Sequence, residues 1–259
     1  MDALAALRLQ MEWGADEALE EAPVGRLRAI EAPPSQPRDQ VQRGVGMPAP
    51  TLALAPSERA LQAAAAAGTL DELRAAIAAF DGCTLRDTAT NLVYAEGKAA
   101  AELLLIGDPP GAPEDRSGAA FAGPAGGYLD RMLASIGLGR GEILLAHLIP
   151  WRPPGDRPPS AAELAICLPF LYRLIALAAP RRLLLMGLLA ARSLLPRTAA
   201  RRRQRGAWTD AAIPGLPHTI PALPTFSAAE LMHSPKERRA AWADLRLLRR
   251  TLDADRSLQ

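Results

Sequence analysis

Four short apolar runs, each followed by a turn and then a helical pattern, constrain this chain more than any other feature. Leu103 to Ile106 stops at Gly107, Ile143 to Ile149 is the second run, and Leu183 to Met186 stops at Gly187. Thr219 to Thr225 is the fourth, interrupted by Pro221. Runs this short and this apolar are strands buried on both faces. Helical patterns lie between and after them: Tyr128 to Ile136, closed by Gly137 and Gly139, Ser160 to about Ala179, Leu188 to Leu195, and Pro235 to about Thr251. Ser160 with Glu163, and Thr69 with Glu72, have the form of a capping box. Ser234 before Pro235 marks another helix start. The expected fold is therefore α/β, with a mainly parallel four-stranded sheet covered on both faces. Ligands of such sheets sit beyond the carboxyl ends of the strands, here at Gly107–Gly111, His147–Arg152, Gly187 and Phe226–Glu230.

Composition narrows the class. The chain has 259 residues, 49% of them hydrophobic, which is enough for a sizeable core, but aromatics are only 4%. Aliphatic side chains must fill that core. A net charge of +2 places any nucleic-acid contact on a local patch. Two cysteines exclude a disulfide-dense scaffold and any four-cysteine metal site within one chain. The histidines, His147, His218 and His233, have no metal-ligand spacing, which argues against a metal hydrolase. No charge-free apolar stretch of membrane-spanning length is read, and the start lacks a secretory pattern. The expectation is a monomeric cytoplasmic protein. Residues 1–70 are expected to form an N-terminal helix (1–21) and an Ala/Pro-rich linker, with the main domain over 71–253. That helix could dock on a protein partner through Leu4, Leu7, Met11 and Trp13, or pack on its own domain.

The first strand end carries the chemistry-bearing pattern. It reads Leu105-Ile106-Gly107-Asp108-Pro109-Pro110-Gly111, then Glu114-Asp115-Arg116 and Phe121-Ala122-Gly123-Pro124-Ala125-Gly126. Later come Arg152-Pro153-Pro154-Gly155-Asp156-Arg157, Cys167-Leu168-Pro169-Phe170-Leu171, Arg205-Gly206-Ala207-Trp208 and Pro224-Thr225-Phe226. These segments, in this order over about residues 75–250, resemble the uracil-DNA glycosylase superfamily, and its family 4 branch above all. The resemblance implies a three-layer α/β/α sandwich. It implies hydrolysis of the N-glycosidic bond of a flipped uracil, or a related deaminated base, in base-excision repair of DNA.

Such chemistry needs an aromatic face for the base, a donor for the leaving base and a carboxylate beside the cationic sugar. By resemblance Phe121 is the stacking aromatic and Asp108 the carboxylate, with Gly107 and Gly111 lining the base site. The competing readings are core packing for Phe121 and a turn cap for Asp108. Arg152, Arg157 and Arg205 are the expected DNA contacts, and Leu231 is either a wedge into the duplex or plain core. The basic run from Arg197 to Arg205 either meets phosphates or is a solvated loop.

Three departures separate this chain from the pattern. His147 replaces the family's asparagine, so it is either a donor in an altered base pocket or structural. Ser227-Ala228 replaces a His-Pro pair, making Ser227 a shorter substitute donor to the leaving base, with Glu230 beside it. Phe80, Cys83, Trp151 and Cys167 stand where the family has four cluster cysteines. A four-cysteine iron–sulfur cluster is not expected, and the sequence reads as having no cofactor, with Cys83 and Cys167 as small buried apolar residues. These departures keep a second function class open: a catalytically impaired protein of the same fold that binds DNA or a partner without excising a base.

Overall fold

The computed structural model describes residues 54–196 and 205–257, which lie in one compact unit, Leu52–Gln259. The expected N-terminal helix and the basic residues Arg197 to Arg203 lie outside the described residues.

Among the described residues the sheet has six strands. In chain order they are β1 (Glu96–Gly97), β2 (Leu103–Gly107), β3 (Leu144–His147), β4 (Arg182–Met186), β5 (Thr209–Ala212) and β6 (Thr219–Thr225). Their spatial order is β1-β3-β2-β4-β6-β5. The inner four run parallel, as the apolar runs predict, while β1 and β5 add antiparallel edges. The expected count of four is thus corrected to six. Both missed strands are short and largely exposed, so neither has an apolar pattern to announce it.

The buried strands alternate between two cores. Leu104 and Ile106 of β2 join one apolar cluster, and Leu103 and Leu105 join the other. Both faces of β2 are therefore covered by helices, which gives the three layers. One layer contains α1 (Pro56–Ala66), α2 (Leu70–Ala79) and α6 (Ala161–Ala178). The opposite layer contains α5 (Gly123–Ala134), α8 (Ala228–His233) and α9 (Pro235–Ser257). The described residues also hold the short helices α3 (Thr84–Thr88), α4 (Ala112–Ser117) and α7 (Leu188–Leu194).

The boundary expected at residue 71 lies too late. Ala60, Ala64 and Ala67 are buried in the same core as α6, so α1 belongs to the main unit. A run of alanines carries little pattern in sequence, yet small side chains let two helices approach closely. Helix α6 is 18 residues long with mean hydropathy 1.7, which meets the length and apolarity of a membrane span. Cys167, Phe170, Leu171, Leu174 and Ile175 of this helix are buried in the core.

The predicted capping box closes at Ser160, whose Oγ accepts from the Glu163 N–H. At Thr69 only half of it forms: Thr69 Oγ1 accepts from the Glu72 N–H, while the Glu72 carboxylate accepts from the Gly68 N–H. Glu163 returns the bond to the Ser160 N–H at 2.7 Å and is gripped by both terminal nitrogens of Arg157, at 2.6 and 2.8 Å. Arg157, with Ser160 behind it, holds the Glu163 carboxyl down at about 2, well below the usual carboxylate range. A lowered folded-state value adds stability that is present above the unfolded value and lost as pH falls through the folded one. The unfolding free-energy gap between wild type and Glu163→Gln is therefore expected to close as pH falls from about 4.5 toward about 2. Denaturant titrations across that window would read it, and a gap independent of pH would refute it.

Candidate active site

The sheet topology supplies a crevice. From β2 the chain passes to β3 on one side, then crosses to β4 on the other, so the order reverses at β2. Doubly wound sheets bind ligands outside the carboxyl ends at such a point. Here Asp108 follows β2 and Gly187 follows β4, and the Asp108 N–H donates to the Met186 carbonyl at 3.2 Å.

A cleft of about 450 Å³ opens at this place. Asp108, Pro109, Pro110 and Gly111 form one wall, and Pro153 with Asp156 to Pro159 forms another. Leu188, Leu189 and Arg192 of α7 close it. Proline fixes much of the lining backbone, so the cleft is rigid before any ligand arrives.

Asp108 turns its carboxylate onto the first turn of α7, where Oδ1 accepts from the Ala190 N–H at 2.8 Å. Gly187 makes this possible. Its φ of +115° is a glycine conformation, and an added Cβ would lie 2.3 Å from the Asp108 carboxyl carbon. Burial pushes the Asp108 pKa above the ordinary aspartate value. The backbone N–H groups of Ala190, Leu189 and Leu188 oppose that shift, while the charge of Glu230 adds to it. Asp108 is thus both the cap that sequence allowed and a carboxylate in the cleft wall.

Phe121 sits elsewhere. It is 7% exposed, with φ of 51°, a left-handed backbone that costs a non-glycine residue of order 1–3 kcal/mol. Arg140 holds it there, donating to the Ala120 carbonyl at 3.0 Å and the Phe121 carbonyl at 2.6 Å while its Nε reaches Asp130. The Phe121 ring lies so close to Gly107 that a Cβ there would meet its Cζ at 2.5 Å. Gly107 therefore serves as a bare floor for that ring.

His147, at the end of β3, stacks on Phe121 with ring centroids 4.4 Å apart and 23° between planes. Its Nε2 accepts from the Phe121 N–H at 3.2 Å, and its Nδ1 lies 2.6 Å from the Asp108 carbonyl. An acceptor role for Nε2 and a carbonyl at Nδ1 define the neutral ring with the proton on Nδ1. Burial depresses its pKa, against the opposing effects of the Asp108 carbonyl and the Glu114 charge. Both ring nitrogens are engaged by backbone, so in this conformation His147 has no polar atom left to read a base. Neither His147 nor Phe121 lines the cleft that Asp108 lines.

Other residues expected at the site have mixed placements. Ser227 is the N-cap of α8, its Oγ accepting from the Glu230 N–H at 3.1 Å, and it is not among the cleft residues. Leu231 is 1% exposed and packs in the core of the α5 layer, so the wedge reading gives way to the core reading. Leu231→Ala is expected to cost about 2–5 kcal/mol of stability, measured by denaturant unfolding. A cost below about 1 kcal/mol would contradict this burial. Arg152 pairs with Asp156 at 2.7 Å and lies 3.9 Å from Asp115. Arg157 pairs with Glu163 yet still lines the cleft, as does Gly111. Arg205 packs over the Phe226 ring and reaches the buried Asp244 at 3.4 Å, a structural tie.

Arg192, Leu188, Leu189 and Arg140 belong to the site or its support without having been singled out in sequence. Leu188 is 48% exposed at the lip of the cleft, an apolar residue on a surface where most neighbours are shielded. Arg192 stands one helical turn beyond it, a spacing that would have found it once the strand end was trusted.

Comparison with known proteins gives one consistent result. A family model described as the uracil DNA glycosylase superfamily matches residues 94–246. A type-4 uracil-DNA glycosylase of Pyrobaculum aerophilum is 34% identical over 53% of this chain and 70% of its own length. Another, from Saccharolobus solfataricus, is 30% identical over 66% of this chain and 81% of its own. A third, from Archaeoglobus fulgidus, is 36% identical over 48% of this chain and 62% of its own.

These relatives correct the expectation of a chain without a cofactor. They are type-4 proteins, the branch associated with an iron–sulfur cluster, and that overturns the expectation. The residues present nevertheless do not fit a four-thiolate cluster. Cys83 Sγ and Cys167 Sγ lie 3.9 Å apart, both buried, while the other two positions hold buried Phe80 and Trp151. Phe80 packs edge-on against Phe170 with centroids 5.3 Å apart. Among the described residues no group of three or more His, Cys, Asp or Glu side chains is arranged to hold a metal.

Proposed function

Because this chain belongs to the uracil DNA glycosylase superfamily, we propose that it hydrolyses the N-glycosidic bond of a uracil, or a related deaminated base, in DNA. The observation that carries this reading is the Asp108 carboxylate, fixed on α7 in the wall of a cleft at the sheet's switch point. Departure of the base leaves the C1′–N bond electrons on the base and positive charge on the sugar. A carboxylate beside the sugar stabilises that charge, and can take a proton from the water that adds to C1′. The desolvated setting of Asp108 strengthens both effects, since charges interact more strongly where water is excluded. Arg192 puts positive charge on the cleft wall, suited to the phosphates flanking a flipped nucleotide.

A second reading is favoured by a specific observation. The two nitrogens of His147 are committed to backbone and Ser227 serves as a helix cap, so donors to the leaving base are scarce. A DNA-binding protein of this fold without base excision would look the same. Base release from single- and double-stranded DNA carrying uracil, then hypoxanthine, separates the two. Release supports the glycosylase. DNA binding without release from any of these substrates refutes it in favour of a silent reader.

A further inference from the structure

We propose that His147 is a resident stand-in for the flipped base: its imidazole fills the stacking place on Phe121, and a base reaches that ring only when the imidazole swings out. This rests on the reading of Phe121 as part of a base pocket, and it deepens that reading.

Imidazole is a planar heteroaromatic ring with one donor and one acceptor in its plane. In His147 it lies near-parallel to Phe121 at a stacking separation of 4.4 Å. In its plane it satisfies one backbone donor, the Phe121 N–H, and one backbone acceptor, the Asp108 carbonyl. A pyrimidine or purine base is also planar and also presents donors and acceptors around its edge. The place His147 occupies therefore has the chemistry of a nucleobase subsite: an aromatic face, an N–H and a C=O.

The surroundings are built to keep that place in being. Phe121 is held in a left-handed conformation by two hydrogen bonds from Arg140, and bare Gly107 leaves room for the tip of its ring beside β2. Strain of this kind persists where surrounding structure over-determines it, and it clusters at ligand sites. A core residue merely filling space needs no such arrangement. His147 stands at the end of β3 and is half-buried, unlike Leu144, Leu145 and Ala146 before it, so it is the one side chain of the strand with a way out toward the surface. While it stays, Phe121 has no open face for a ligand. A competent state populated as a small fraction weakens apparent affinity by that fraction. His147 would thus set how readily a base is accepted.

The test uses the full chain, with free uracil and imidazole as probes. His147→Gly and His147→Ala are expected to bind imidazole and uracil at least about 10-fold more tightly than wild type, the two probes competing. Titration followed by NMR reads this directly. Equal affinity in wild type and both variants, or no binding to the variants, overturns the proposal. Should neither variant fold, the wild-type ring decides. Its Nδ1–H resonance is expected to shift or vanish on binding DNA that carries a non-cleavable 2′-fluoro-deoxyuridine. An unchanged resonance in the saturated complex overturns the proposal. Its fate is separable from that of the glycosylase reading. Uracil release by wild type with an undisturbed His147 resonance removes the plug alone. Tight uracil binding by His147→Gly, with no release from DNA by wild type, removes the glycosylase reading alone.

Discussion

Asp108→Asn is expected to lower base release by about 10²–10⁴-fold with the fold intact, the range for removing a positioned acid–base group. The amide keeps the shape of the carboxylate and loses its charge, so the sugar cation loses its partner. Its effect on stability should be small. Burial of the Asp108 carboxylate already works against the charged form, and a raised folded-state pKa means that ionised Asp108 is a net cost to folding. Any stability linked to this group is therefore greatest below the ordinary aspartate pKa and is lost as pH rises through the folded value. Activity runs the opposite way, because only the ionised form helps. The acid limb of base release should fall above the ordinary aspartate value and be absent in any residual activity of Asp108→Asn. A pH–rate profile of both proteins measures this. A drop of less than about tenfold in the variant would remove Asp108 from the reaction.

Gly187→Ala is expected to remove nearly as much activity, and to destabilise the fold as well. Two separate effects meet at this residue. The backbone φ of +115° is one that side chains rarely adopt, which alone costs of order 1–3 kcal/mol. The new Cβ would also sit 2.3–2.5 Å from three atoms of the Asp108 carboxyl group. The carboxylate must then leave the first turn of α7, and with it the bond to the Ala190 N–H. Loss of base release together with a lowered unfolding midpoint is the expected pair of results. Wild-type activity in this variant would mean that the placement of Asp108 on α7 has no part in the reaction. The contrast with Asp108→Asn, inactive but stable, separates the two roles of the contact.

Much of the fold is legible in local patterns. The four parallel strands, the caps at Thr69 and Ser160, and the helix starting at Pro235 all follow from them. Buried strands must be apolar and helix ends must satisfy their N–H groups, so each leaves a mark within a few residues. The edge strands β1 and β5 and the inclusion of α1 leave no such mark. They depend on pairing with distant partners or on the smallness of alanine, neither of which has a local pattern.

The site divides along the same line. Chain order and local chemistry suffice to say which residue types stand at the strand ends: a carboxylate after β2, a histidine at the end of β3, glycines where backbone must come close. How those groups use their atoms was settled by packing alone. It turned Asp108 onto α7, put His147 on the face of Phe121, gave Ser227 to a helix end, Arg205 to Asp244 and Leu231 to the core. The physical reason is that a polar atom or an aromatic face is saturable. Which partner takes it is settled by neighbours far away in sequence, through distances of a few ångströms that no local pattern records.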